Sequence, residues 1–170
     1  SFNSHLLNEP WEIKNNSGEF FKVFTPYWRK SYPFFLDKNY SYQEIKKVLP
    51  IKHDEKIEQF NFLPEKKWYE KFEQYWEPGE KSALQKIDQY IAQNINHYKI
   101  NRDRPDIDQT SRISPHLKFG EISPRVIVDK IKKNEVTNES TLTYLSEIGW
   151  REFSYTLLYY ADDLKYKPIN

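Results

Sequence analysis

Ala83, Leu84, Ile87, Tyr90, Ile91 and Ile95 recur at intervals of three and four, which places all six side chains on one face of an α-helix. That spacing commits the second half of the chain to helix packing. The helix follows the punctuation of Pro78 and Gly79 and is expected to run to about Tyr98, where Asn101, Arg102 and Pro105 signal an exit into a loop. A further helix should follow Pro124, with Val128 and Ile131 inward and Lys130, Lys132 and Lys133 near its C-terminal end, where cations favour the dipole. The last helix is expected to start near Ser140 and reach Tyr160. No strand pattern appears after Trp76, and no internal repeat or low-complexity segment is visible.

Between the first two of these helices lies TSRISPHLKFGEISPR, residues 110 to 125. Thr110, Ser111 and Ser114 offer three hydroxyls within five residues, and Arg112 adds a permanent cation with a planar donor fork. Such a turn stabilises an anionic group such as a phosphate. It also serves as an ordinary helix-capping turn, and both readings stand on chemistry alone. Gly120 permits a backbone conformation that a Cβ would forbid, and Ser123 before Pro124 reads as an N-cap and first helical position. A dinucleotide turn of the βαβ kind would need a preceding strand and a glycine fingerprint, and neither is present here.

The first half is less regular. Phe21 to Phe24 (FKVF) alternates and carries β-formers, which predicts a short strand before a turn at Thr25 and Pro26. Residues 30 to 76 mix aromatics, prolines and charges without sustained periodicity, apart from a short helical candidate at Tyr42 to Leu49. Pro50, Pro64 and Pro78 punctuate this stretch. Aromatic residues make up 17% of the 170, so a core must be built largely by burying Tyr, Phe and Trp.

Net charge is only +1, so any nucleic-acid contact must rest on a local patch. One candidate spans Lys99 to Lys133, where nine basic side chains face five acidic ones. The same charges also suit a solvated helical surface. The chain has no cysteine, which excludes disulfides and thiolate metal sites, and its four histidines are too widely spaced for a short zinc motif. His116 is expected to be a hydrogen-bonded structural histidine rather than a ligand. With no run of eighteen apolar residues and no signal-like start, the expectation is a soluble, cytoplasmic monomer with no membrane contact and no metal.

The 110 to 125 run resembles the flavin-binding signature of the DNA photolyase and cryptochrome family. YLSEIGWREF, Tyr144 to Phe153, is similar to the next signature in the same order, and LLNEPWEIKNNSGEFFKVFTPYWRK at 6 to 30 resembles the segment where these proteins leave their antenna-binding domain. The likeness is greatest to class I cyclobutane pyrimidine dimer photolyases, and with no methionine in its 170 residues the chain is expected to be an internal fragment. The resemblance implies a mainly α fold. It comprises the first part of the family's all-helical FAD-binding domain (77–170), preceded by an interdomain linker (30–76) and a remnant of the N-terminal α/β antenna domain (1–29).

By the same resemblance Tyr98, Thr110, Ser111, Arg112, Ile113, Ser114, Tyr144 and Arg151 match FAD-contacting positions. Tyr144 stands where several members place tryptophan. Glu147 and Trp150 match the residues that meet a flipped-out dimer, by hydrogen bonding and by stacking, and Arg102 matches a basic residue that faces DNA. Taken alone, Glu147 and Arg151 at i and i+4 would form a surface ion pair beside a packing Trp. The implied activity is a deoxyribodipyrimidine photo-lyase, which splits cyclobutane dimers in UV-damaged DNA by electron transfer from excited reduced FAD, the fragment alone being inactive. A second antenna chromophore, folate or deazaflavin, is implied for the full-length protein. The alternatives are a cryptochrome-type blue-light photoreceptor and a helical interaction module without flavin. An aromatic residue at Trp150 favours repair over signalling.

Overall fold

Helix α6, Glu139–Tyr160, is the element on which the rest of the helical unit is assembled. Asn138 opens it in extended backbone and its side-chain oxygen accepts from the Thr141 amide at 2.9 Å, satisfying one of the four orphan N–H groups of a helix start. The structure is a computed structural model that describes residues 5–37, 47–50, 56–135, 137–161, 164 and 166. The chain divides into two units, residues 1–40 with 79–170, and residues 41–78.

In the larger unit the expected helices form close to their expected bounds. α2 is Glu80–Gln93, burying Ala83, Ile87, Tyr90 and Ile91. It stops at Asn94 instead of continuing to Tyr98, and the chain passes through a 3-10 turn, Ile95–His97, into the short α3, Tyr98–Asn101. α4 is Ser114–Lys118 and α5 is Pro124–Lys133, capped by Ser123 as its sequence predicts. Among the described residues there is no strand.

The FKVF segment departs from expectation. Residues 21 to 23 are irregular, and Phe24 opens α1, Phe24–Asp37. The boundary expected after residue 29 therefore falls inside a helix. Pro26 sits in its first turn, where a missing N–H costs nothing, and Pro33 is carried within it. Tyr27, Ser31 and Phe35, spaced by four, are buried, and their burial outweighs the two prolines. The helix considered at Tyr42 to Leu49 lies mostly outside the described residues, and 47–49 are irregular.

Phe35 and Leu7 join Ile87, Ile91, Ile95, Ile127, Val128, Leu145 and Ile148 in one core. Each such aliphatic side chain contributes about 1.5–3 kcal/mol by leaving water. A smaller cluster of Ile13, Tyr27 and Phe153 joins the N-terminal segment to α6. Gly149 sets the distance between α1 and α6, because a Cβ there would overlap the Trp28 ring. In the smaller unit the described residues form two 3-10 turns, Ile57–Phe60 and Trp68–Gln74, with Phe60 stacked on Phe62 and Trp68 edge-on to Phe72.

Candidate functional site

One stripe of α6 carries Tyr144, Glu147, Trp150 and Arg151, at i, i+3, i+6 and i+7. α3 and the 110–114 turn meet its first part. Tyr144 is buried, with Tyr98 edge-on at 5.1 Å and Tyr90 tilted at 5.2 Å. Its hydroxyl shares a hydrogen bond with the Ser111 side chain, and burial pushes its phenol well above the ordinary range. Tyr90 is buried as well, and its hydroxyl has no partner among the described residues.

Arg102, at the end of α3, lies 5.5 Å over the Tyr98 ring and forms an ion pair with Glu147. Contacts between Tyr98, Arg102, Ser111, Tyr144 and Glu147 thus join residues that the sequence separates by up to 49 positions. Glu147 does not pair with Arg151, so the simple i, i+4 surface pair is not what forms. The carboxylate is about one-third exposed, and Arg102 engages only one of its two oxygens.

The hydroxyl-rich turn is held from below by Ile113, which is buried with Leu117. Arg112 has φ +48° and is exposed, with Nε 2.8 Å from the Asp108 carboxylate. The Thr110 and Ser114 hydroxyls meet no side-chain partner among the described residues, while the Ser111 hydroxyl is on Tyr144. Two unclaimed hydroxyls and an exposed guanidinium form a donor set suited to a phosphate, next to tyrosine rings packed in the core.

Trp150 is 45% exposed. Its inner face stacks on Phe24 at 3.8 Å with 13° between the planes, and Phe153 meets its edge at 5.9 Å. The indole is a surface platform backed by an aromatic wall, a form suited to stacking a base. Arg151 is turned toward the N-terminal segment. Its Nη1 donates to the His5 carbonyl at 2.8 Å and lies 3.4 Å from Glu152, its Nη2 is 2.7 Å from His5 Nε2, and its guanidinium lies 4.9 Å over Tyr155.

Glu152, next along α6, is a buried carboxylate that the sequence reading passed over. It accepts from the Leu7 and Asn8 amides at 2.7 and 3.2 Å. Burial outweighs these bonds and the nearby Arg151 and Arg125, pushing its pKa up to about 7. The signal was available, since Glu152 falls in register with Leu145, Ile148 and Thr156 on the buried face. Phe24 and Gly149 were likewise missed, because both act through a helix, α1, whose start reads as a strand and a turn.

Elsewhere, His116 is fully buried with Nδ1 2.6 Å from Glu121, the structural histidine expected. The basic patch is largely neutralised by ion pairs: Lys99 pairs with Glu139, Arg104 with Asp106, Lys130 with Asp88 and Lys133 with Asp129. Among the described residues no group of His, Cys, Asp and Glu is placed to hold a metal, and no helix is long and apolar enough to cross a membrane.

Residues 1–45 match the family described as DNA photolyase. Across its whole length the chain is 34% identical to the deoxyribodipyrimidine photo-lyase of Agrobacterium fabrum, covering 36% of that protein. It is 30% identical to cryptochrome-1 of Arabidopsis thaliana over 91% of the chain and 24% of that relative. A solved structure, titled as a bacterial class III photolyase from Agrobacterium tumefaciens, superposes with a TM-score of 0.78 at 32% identity, over 98% of this chain and 36% of that one. That title carries a different class from the class I likeness drawn from the motifs. The chain spans about a third of the length of the curated photo-lyases it matches.

Proposed function

Because this chain belongs to the DNA photolyase and cryptochrome family, we propose that the α6 stripe holds FAD along one edge, that of Tyr144 and Arg151, and meets a pyrimidine dimer of UV-damaged DNA along the other, that of Glu147 and Trp150. The reaction is that of a deoxyribodipyrimidine photo-lyase, splitting the cyclobutane carbon–carbon bonds under blue light. The observation that carries this reading is the shared stripe, with Tyr144 buried against Tyr98, Glu147 paired to Arg102, and Trp150 half exposed on Phe24. When bound and reduced, FAD supplies the electron that opens the dimer.

The chain's own residues bind, orient and exclude water. Tyr98 and Tyr144 offer aromatic surface that water does not reach. Thr110, Ser111 and Ser114 supply hydroxyls and amides, Arg112 supplies charge by exchanging Asp108 for a phosphate, and Ile113 keeps the turn seated. Arg151 places a fixed cation on the flavin side of the stripe, where it favours an anionic ring. Arg102 retains donors beyond the one on Glu147, enough to reach a phosphate of the DNA backbone. A dimer that stacks and pairs poorly is cheap to extrude, and Trp150 with Glu147 then replaces the lost stacking and pairing.

Substitution of Trp150 by Ala tests this reading. Affinity for dimer-containing DNA should fall by about 1–3 kcal/mol, the worth of one stacked base, with much less change on undamaged DNA. Equal losses on both DNAs would remove the lesion wall and favour a cryptochrome-like signalling role on the same fold.

A further inference from the structure

Arg151 is the one member of the stripe whose partner comes from the far N-terminal segment, and that partner grips it twice. Nη1 donates to the His5 carbonyl at 2.8 Å, and Nη2 lies 2.7 Å from His5 Nε2. A guanidinium has no acceptor, so Nε2 must present its lone pair and the ring proton must sit on Nδ1. The Tyr155 hydroxyl, 2.6 Å away, shares the same nitrogen, and its ring stands edge-on to the imidazole at 5.1 Å while lying under the guanidinium.

We infer that His5 is the positioning residue for Arg151: its neutral imidazole fixes the orientation of the guanidinium on the α6 stripe and loses that grip on protonation. This rests on the reading of Arg151 as the flavin-side cation. The residues that follow His5 are clamped independently of its ring. Arg125 on α5 donates to the Leu6 carbonyl at 3.1 Å, and Glu152 accepts from the Leu7 and Asn8 amides. The ring is therefore a local latch on a segment already fixed.

The groups facing His5 are Arg151 and Tyr155 on α6, Lys118 at the end of α4, and Glu152 beside Arg151. Protonation would replace the lone pair by an N–H and set a third positive charge beside Arg151 and Lys118. Burial, Arg151 and Lys118 all hold His5 below its ordinary 6.5. The neutral ring and its latch thus persist at neutral pH, and the contribution is lost as pH falls from the unfolded value through the folded one. Glu152 runs the other way. Its raised pKa makes the folded state take up a proton between 4.5 and about 7, which favours the fold in acid. Loss of the latch is in this way separable from acid unfolding.

The test uses the full-length FAD-loaded protein and follows flavin dissociation by fluorescence from pH 7.5 down to the acid limit at which the protein stays folded. Side-chain N–H exchange of Arg151, measured by NMR without flavin, gives a second readout. Wild type should release flavin roughly tenfold more readily at the acid end, the scale of one lost charge-assisted hydrogen bond. His5→Gln, an acceptor that does not titrate, should hold flavin with little pH dependence, while His5→Phe should hold it weakly throughout and leave the Arg151 Nη2 protons unprotected, with the Nη1 bond to the residue-5 carbonyl retained. A His5→Phe protein with wild-type retention, pH profile and Arg151 protection would overturn the inference. If Arg151→Ala also keeps wild-type flavin affinity, the fault lies in the flavin-side reading of Arg151. If Arg151→Ala loses flavin and His5→Phe does not, only the role of His5 falls.

Discussion

Glu147 and Glu152 stand five residues apart on α6 and inhabit different worlds. Glu147 is about one-third exposed and paired with Arg102 from α3. Glu152 is enclosed, holding two backbone amides of the N-terminal segment. One helix therefore separates two uses of the same side chain by which face it occupies. On the outer stripe a carboxylate keeps part of its hydration and its partner is exchangeable, so the pair is worth little to stability and is free to meet a ligand. On the inner face a carboxylate without donors would not survive burial, so it fastens the segment that supplies them.

Removing each carboxylate sharpens that contrast. Glu152→Ala removes the carboxylate that accepts from the Leu7 and Asn8 amides and should cost about 3 kcal/mol in urea unfolding, a size typical of broken buried polar networks. A cost no larger than that of Glu147→Ala would break the comparison. The pH arm is equally specific. Glu152 contributes stability that is fully present below about 4.5 and lost as pH rises to about 7, whereas Glu152→Gln should not follow that slope.

Gly149→Ala probes the helix contact that supports both faces. The added methyl would overlap Trp28, so α1 must shift at a cost of about 1–3 kcal/mol, and with it Phe24 and the plane of Trp150. A melting temperature equal to wild type would mean that the crossing is looser than Gly149 and Trp28 indicate.

The smallest effect belongs to the outer pair. A double-mutant cycle on Arg102 and Glu147 should return below about 1 kcal/mol of coupling in folding stability, as for other part-exposed pairs. Arg102→Ala should nonetheless lower affinity for damaged and undamaged DNA alike and flatten the salt dependence, because one released counterion is lost. An unchanged slope would take Arg102 off the DNA face.

Much of the inner face was legible in the sequence. The three-and-four spacing of Ala83 to Ile91 and the Ser123–Pro124 start located α2 and α5, and His116 was expected to be structural. α1 was hidden because FKVF read as a strand and Thr25 with Pro26 as the turn after it, although Tyr27, Ser31 and Phe35 carried the spacing of a buried helix face. Pairs that depend on tertiary approach, such as Arg102 with Glu147, 45 residues apart, and His5 with Arg151, 146 apart, leave no trace in local patterning. The nearer i, i+4 partner of Glu147 was the wrong one, since Arg151 finds more acceptors on the N-terminal segment than on its own helix.

The most direct test of the outer stripe is repair of cyclobutane-dimer DNA by the full-length FAD-loaded protein that contains this chain, under blue light and in matched darkness, with reduced flavin verified by absorbance. Loss of dimers in the light alone, abolished by Trp150→Ala with flavin still bound, is the predicted result. Intact dimers after illumination, with reduced flavin present and dimer DNA bound, would contradict it.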